Sequence, residues 1–420
     1  MTAWPTADAS HVATWSIAAL ATAGVLLRPR GWPEAVFAVG GAVLLVLARL
    51  LPPASVLSAV GGSLDVVFFL TGLMLLAELA RSEGLFDTLS AWAVRRAGGS
   101  GPRLFALVYG IGVVVTAFMS NDATAVVLTP AVHAAARRAG ARPLPYLFAC
   151  ALVANAASFV LPIANPANLV VFGSHLPPLG AWWHRFAPAS IAAVVITWAV
   201  LRWRFRAELG AAIAQVSHVP GLSQNGLIAL LGVAGVVLAM LVASALGASL
   251  GLPTLLACLV AIAAVHWNRR RAPWALLRHV DWGVLALVAG LFVLVAGLEH
   301  TGLIGSFAQA LHQHAEKAPH ATAWVAGAGV ALVSNLVNNL PAGLIAGTAA
   351  NAGALPDIVR SAIAVGIDLG PNLSVTGSLA TLLWLAALRR EGEHVSAWQF
   401  LAVGALAMPA ALVAALACVF

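Results

Sequence analysis

The sequence predicts an all-α polytopic membrane protein: two inverted repeats of five transmembrane segments, each with a re-entrant hairpin and a broken helix. Three observations predict it. The 420 residues are 61% apolar and only 9% charged, against about 25% charged in soluble domains. Lys and Arg fall almost wholly on one side of the threading described below. Two long apolar stretches in each half are interrupted by polar, Pro- or Gly-containing motifs. The strict alternation of a membrane β-barrel is absent.

Crossings are expected near 12–27, 33–51, 63–80, 144–174 and 186–204, and again near 225–247, 252–268, 281–299, 356–388 and 396–419. With their flanks these runs can traverse ~30 Å of hydrocarbon. The opening MTAWPTADAS holds no Lys or Arg. It lacks the basic segment of a cleaved signal peptide, so the first apolar run is expected to stay as a span. LFDTLSAWAVRRA, residues 85–97, has the pattern of an interfacial amphipathic helix.

Two further apolar pairs, 103–137 and 321–350, are interrupted by SND (Ser120 to Asp122) and SNLVNNLP (Ser334 to Pro341). As hairpins that enter and leave on one side, they give a clean charge split. Of 22 basic residues, 18 then share one face, including Arg95/Arg96, Arg137/Arg138, Arg269 to Arg271 and Arg389/Arg390. The other face receives Arg49, Arg185, Lys317 and Arg360. A single crossing at 103–137 would separate Arg95/Arg96 from Arg137/Arg138. Basic residues mark the cytoplasmic face, so both termini are expected outside. The same bias accounts for the net charge of +7 without nucleic acid.

A polar linker at 207–224 separates a first repeat, 1–206, from a second, 225–420. Five crossings per half is an odd number, so the halves are expected to be inverted. Weak internal similarity agrees with a duplication: Gly72 matches Gly290, Gly84 matches Gly302, Ser120-Asn121 matches Ser334-Asn335, and Asn155 matches Asp368.

Irregular backbone at membrane depth is tolerated only where protein or a water-filled cavity satisfies it. Four segments qualify: SNDATAVVLTP (120–130), LPIANPANLVV (161–171), SNLVNNLP (334–341) and DLGPNLSVTGS (368–378). Proline removes a donor and frees a carbonyl. Each break therefore leaves helix ends, with their N–H groups or carbonyls, facing a common space. Broken segments in corresponding positions of two halves point to a midplane transport site.

The candidate binding residues are Ser120, Asn121, Thr124, Asn165, Asn168, Ser334, Asn335, Asn338, Asn339, Asn372, Thr376 and Ser378. These carboxamides and hydroxyls both donate and accept. No Arg, Lys or His falls in the four segments. The chemistry suits a small, neutral, multiply hydroxylated solute, or a cation held by oxygens. Asp122 and Asp368 are the only carboxylates there. A charged carboxylate at membrane depth is costly and marks function, so both are candidates for carrying protons. The competing structural roles are a helix cap for Asp122 and interhelical hydrogen bonding for the asparagines.

Asn155 and Glu78 are secondary candidates. Glu78 and Asp65 lie near the ends of the third span, within reach of the interface. His300, His312, His314 and His320 read as residues of an outside loop, with metal binding or pH sensing the alternative. Cys150, Cys258 and Cys418 have no metal or disulfide spacing and are expected to be buried, inert thiols. The 14 Trp are expected to face lipid or the interface. There is no phosphate loop and no nucleophile–base pairing, so neither ATP hydrolysis nor other enzymatic activity is expected of the chain.

SNDATAVVLTP, SNLVNNLPAGLIAG and IDLGPNLSVTGSLATLLWLAAL together resemble the ArsB family of arsenite efflux permeases. That family sits in the ion-transporter superfamily, with sodium/dicarboxylate symporters and NhaD-type sodium/proton antiporters. The resemblance spans about residues 60–390, and DLGP followed by GSLATLLW is its most specific part. It implies an inverted-repeat fold in the bacterial inner membrane. It implies export of arsenite or antimonite in exchange for protons, with the proton gradient as energy source and no cofactor. An ArsA-type ATPase is an implied possible partner. The chain departs from the pattern in two ways. Asn155 stands where an acidic residue is common, and Asp122 and Leu336 replace the threonines of the Ser-Asn-Thr signature of the dicarboxylate branch. The second departure weakens sodium-dependent carboxylate transport as an alternative.

Overall fold

The computed structural model describes residues 8–173, 176–214, 221–269, 274–353 and 355–419. The middle of the linker, Arg270 and Arg271 lie outside them. The described chain is helical, and its first half runs α1 (Ala9–Leu27), α2 (Glu34–Leu47), α3 (Pro53–Ser82), α4 (Leu85–Ala97), α5 (Gly101–Phe118), α6 (Asn121–Ala123), a π-turn (Thr124–Leu128), α7 (Thr129–Arg138), α8 (Leu144–Ala156), α9 (Pro166–Phe172), α10 (Leu179–Arg204) and α11 (Arg206–Leu209). The second half runs α12 (Gln224–Ala245), α13 (Gly251–Arg269), α14 (Trp274–His279), α15 (Gly283–His300), α16 (Leu303–Lys317), α17 (Pro319–Val337), α18 (Asn339–Ala352), α19 (Asp357–Leu369), α20 (Leu379–Arg390) and α21 (Ala397–Ala417).

Among the described residues, eight helices are long and apolar enough to cross a membrane. They include α5 and α17, which the charge split treats as hairpin arms. The broken crossings are each made of two shorter helices, α8 with α9 and α19 with α20. α3 begins ten residues earlier than the sequence indicates, because Pro53 supplies a preset first-turn φ and its missing N–H costs nothing there.

The halves present like elements in like order. α3 ends in Gly84 and α15 in Gly302, both in the left-handed region (φ 73° and 76°), and each turn launches an amphipathic helix. That helix is α16 in the second half, so the expected loop carrying His312 and His314 is helical. Its apolar stripe of Ile304, Ala308 and Ala315 is buried. α4 packs on both α5 and α7, and α16 on both α17 and α18. α3 packs on α13 and α15 on α2. At those crossings Gly72 faces the backbone of Thr254–Leu255 and Gly290 the backbone of Ala38–Val39. The matched glycines are therefore helix-crossing points, where a Cβ would hold the backbones apart.

Two contacts fix which ends share a face. Ile213 N–H donates to the Gly99 carbonyl at 3.1 Å and Ala214 N–H to the Ala139 carbonyl at 2.8 Å. The linker thus bridges both ends of the first hairpin. On the opposite side Arg185 pairs with Asp357, and the Arg360 guanidinium donates to Asn351 Oδ1 at 3.0 Å.

Two expectations about residue environment are corrected. Trp182 and Trp384 are fully buried, because each indole N–H finds a carbonyl at 3.1 Å, Phe159 and Leu147 respectively. Cys418, near the chain end, is exposed, while Cys150 and Cys258 are buried.

The tightest seam joins α17 to α19, where a Cβ on Gly366 would collide with the Gly327 carbonyl. Gly366→Val is expected to lower unfolding stability in detergent by at least about 3 kcal/mol, the upper range of overpacking. A glycine with open space around it, such as Gly329, serves as the control. Equal effects at both positions would show that the seam is not what matters.

Candidate functional site

Four helices start inside the bundle, and each start is capped by the side chain before it. Ser120 Oγ accepts from Ala123 N–H (3.2 Å), Asn338 Oδ1 from Leu340 N–H (3.3 Å), Asn165 Oδ1 from Ala167 N–H (3.0 Å) and Ser378 Oγ from Ala380 N–H (3.1 Å). Short polar side chains satisfy these free donors, and Pro166 fits the first turn of α9. The two hairpin tips are strained alike. Ser120 sits at φ 139° and Asn338 at φ 73°, a region L-residues avoid at a cost of about 1–3 kcal/mol. The strain aims each following N–H at the break of the same half. Asn121 N–H donates to the Ala164 carbonyl (3.2 Å) and Asn339 N–H to the Gly377 carbonyl (2.8 Å).

This geometry corrects one internal match. Ser120-Asn121 corresponds to Asn338-Asn339, not to Ser334-Asn335. Ser334 and Asn335 lie one turn earlier, inside α17. Asn335 acts as a bracket for the second break. Its amide donates to the Ala331 and Gly370 carbonyls (2.8 and 2.9 Å), and its Oδ1 accepts from Ser374 N–H (3.1 Å) and Ser374 Oγ (2.7 Å). Thr376 Oγ1 adds a bond to the Asn335 carbonyl at 2.8 Å. Ser334 Oγ donates to the Ala331 carbonyl, and Asn168 closes the first break by donating to the Ser158 carbonyl. Thr124 bonds Thr116 at 2.8 Å inside the hairpin. The π-turn here follows from Pro130, which has no N–H for the ladder; the Thr129 hydroxyl bonds the Thr124 carbonyl instead.

The matched pair Asn155 and Asp368 sits second from the end of α8 and α19, and each residue reaches into the break of the other half. Asn155 Nδ2 donates to Asn372 Oδ1 (3.0 Å), whose own amide donates to the Leu152 carbonyl (3.0 Å). Asn165 Nδ2 donates to Asp368 Oδ1 at 2.6 Å. Asn155 and Asp368 are both 0% exposed, and each keeps one oxygen, Asn155 Oδ1 and Asp368 Oδ2, without a hydrogen-bond partner.

A cavity of about 140 Å³ reaches the first hairpin tip. Ser120, Asp122 and Leu379 of the α20 start line it, as do Glu78, His279 and Asp281. Glu78 does not reach out to the interface as its position implies. It is buried and held by Arg81 through two bonds of 2.5 and 2.7 Å, with His279 Nδ1 at 3.6 Å. No lysine or arginine lines this cavity. Asn338 lies apart, in a recess of about 20 Å³ beside the paired Arg28 and Glu34. His279 and Asp281 were not candidates from the sequence. Their only signal in the sequence is a short HVD run before α15. Among the described residues no group of three His, Cys, Asp or Glu side chains is placed to hold a metal ion.

The site can hold a small hydroxylated solute between a carboxylate-bearing hairpin tip and capped helix starts. The sequence profile described as citrate transporter matches residues 18–366. An uncharacterized transporter of Mycobacterium tuberculosis is 28% identical over 81% of this chain and 82% of its own. The arsenical pump membrane protein of Escherichia coli K12 is 24% identical, covering 89% of this chain and 90% of its own. Among solved structures, the YdaH transporter of Alcanivorax borkumensis superposes with a TM-score of 0.56 at 17% identity, over 87% of this chain and 86% of that one. MtrF of Neisseria gonorrhoeae gives 0.54 at 13% identity, over 99% and 95%. Both share the fold.

Proposed function

The chain belongs to the citrate transporter family of multi-pass membrane transporters, and we propose that within it this protein exports arsenite or antimonite in exchange for protons. The observation that carries the proposal is the cavity at the first hairpin tip, lined by Ser120 and by the carboxylates Glu78, Asp122 and Asp281 with no lysine or arginine. Trivalent arsenic near neutral pH is mainly an uncharged trihydroxide, which such a surface can hydrogen-bond. A tricarboxylate would find no lysine or arginine lining the cavity and would face Asp122 and Asp281, Glu78 being already paired with Arg81. The relatives named arsenical pump membrane protein support the same solute.

In this proposal Ser120 contacts the solute at the first hairpin tip, Asn121 and Asn165 hold that tip and the facing break in shape, Asn338 and Asn339 form the second tip apart from this cavity, and Asp122 and Asp368 carry protons. Asn335, Ser374 and Thr376 hold the second break in shape. The two halves are inverted repeats in the inner membrane of a bacterium, with the arginine-rich face in the cytoplasm and both termini outside. Exchange requires that the solute and the proton favour different states of the hairpin-bearing parts.

The test is arsenite accumulation in everted vesicles holding only this protein, with an imposed pH gradient. Uptake that is independent of sodium and lost when the gradient collapses is the expected result. Sodium-dependent uptake of a carboxylate, or sodium/proton exchange, would replace the proposal with another coupled transporter. Arsenite movement only in the presence of an ArsA-type ATPase would make the chain a channel subunit.

A further inference from the structure

His133 lies on α7, the return arm of the first hairpin, and is only 7% exposed. Both ring nitrogens face carboxylates from the other half of the chain. Nδ1 lies 3.2 Å from Glu391 Oε2 and Nε2 lies 3.2 Å from Glu393 Oε1. The turn after α20 sets this up. Gly392 takes φ 77°, and the N–H groups of Glu391, Gly392 and Glu393 return to the Ala387, Arg389 and Leu388 carbonyls. The reversal places the two glutamates on either side of one imidazole. Both remain partly open to solvent, with side chains 38% and 26% exposed.

A neutral imidazole has one N–H and one lone pair; the protonated ring has two donors. Only the protonated ring satisfies both glutamates, because a ring lone pair facing a carboxylate is repelled. The other charged groups on elements packed against α7 are Asp87, Arg95 and Arg96 of α4 and Arg389 and Arg390 of α20; α8 and the π-turn have none. All five are exposed, as are Arg137 and Arg138 of α7 itself. Among the described residues, only Glu391 and Glu393 form ion pairs with His133.

The position of this contact gives it a consequence for transport. The α6–α7 arm carries Ser120 and Asp122, and α20 begins at Leu379; all three line the same cavity. We propose that His133, Glu391 and Glu393 form a proton-closed latch that ties these two cavity walls together at their cytoplasmic ends and brakes exchange when that face turns acid. In an antiporter that delivers protons there, the latch answers to the transported ion. The braking role rests on the function proposed above; the latch itself does not.

Hydrogen exchange of the 391–395 amides, in full-length protein in lipid nanodiscs, tests the latch without any solute. The variants are His133→Gln and the pair Glu391→Gln with Glu393→Gln. Each is expected to exchange about tenfold faster than the wild type near pH 6 and at about the same rate near pH 8.5. A variant-to-wild-type ratio that is the same at both pH values overturns the latch. In everted vesicles the bath sets the cytoplasmic-face pH. Wild-type arsenite flux is expected to fall several-fold as the bath is acidified at constant gradient, and the His133→Gln flux to stay level. Parallel profiles overturn the braking role. If no protein moves arsenite, the proposed solute fails and the exchange ratio alone decides the latch.

Discussion

Asp122→Asn is expected to abolish gradient-driven arsenite accumulation while leaving the protein folded. Asparagine is nearly isosteric, and the bonds that shape the tip are made by neighbours. Ser120 Oγ caps the turn, and Asn121 Oδ1 accepts the backbone N–H of residue 122 at 2.9 Å. What the substitution removes is a titratable group in the cavity wall. An amide cannot bind a proton on one side of a membrane and release it on the other. Loss of about two orders of magnitude in gradient-driven uptake is expected, on the order of 3 kcal/mol in effective barrier. Solute-for-solute exchange without a gradient should persist, since the solute contacts remain. Full gradient-driven uptake by the variant would remove Asp122 from coupling. Loss of both activities with unchanged unfolding would make it a solute ligand instead.

The broken spans and the carboxylates within them are legible in the sequence. Prolines, glycines and asparagines inside apolar runs have few explanations in a bilayer, where every backbone group needs a partner. The order of the motifs also pairs Asn155 with Asp368 as equivalent positions of the two halves without any coordinates. The second hairpin tip is less legible. SNLVNNLP offers two polar pairs, and identity favours Ser334-Asn335. The turn instead requires a residue that tolerates positive φ, and Asn338 does so better than serine or leucine. Cross-half contacts are not legible at all. Nothing in the spacing indicates that Asn165 meets Asp368, some 203 residues away, or that His133 meets Glu393, some 260 away. The same holds for Asn335, whose residue type fits a ligand and whose four bonds make it a bracket.

The two breaks are therefore not independent sites. Asp368 is bonded to Asn165, and the neighbouring Ala164 carbonyl accepts from Asn121, next to Asp122. Two hydrogen bonds, joined through the Ala164–Asn165 backbone, thus connect the carboxyl of one half to the hairpin tip of the other. Asn165 both donates to Asp368 and caps α9.

Asn165→Ala is the substitution that reports on this link. It removes the α9 cap, worth about 1 kcal/mol. It also leaves Asp368 Oδ1 without its donor, in a carboxyl whose Oδ2 already has none. Leaving a buried acceptor without its hydrogen-bond donor costs about 1–3 kcal/mol, so a total loss of roughly 2–4 kcal/mol in unfolding free energy is expected. The two contributions separate in a double-mutant cycle. In an Asp368→Leu background the buried oxygens are gone, and Asn165→Ala should cost only the cap, about 1 kcal/mol. Equal losses in both backgrounds would mean that the Asn165–Asp368 bond contributes nothing and that α9 capping is the whole effect. A larger loss in the wild-type background, with solute exchange falling in proportion, would tie the stability of the crossed bond to the function of the site.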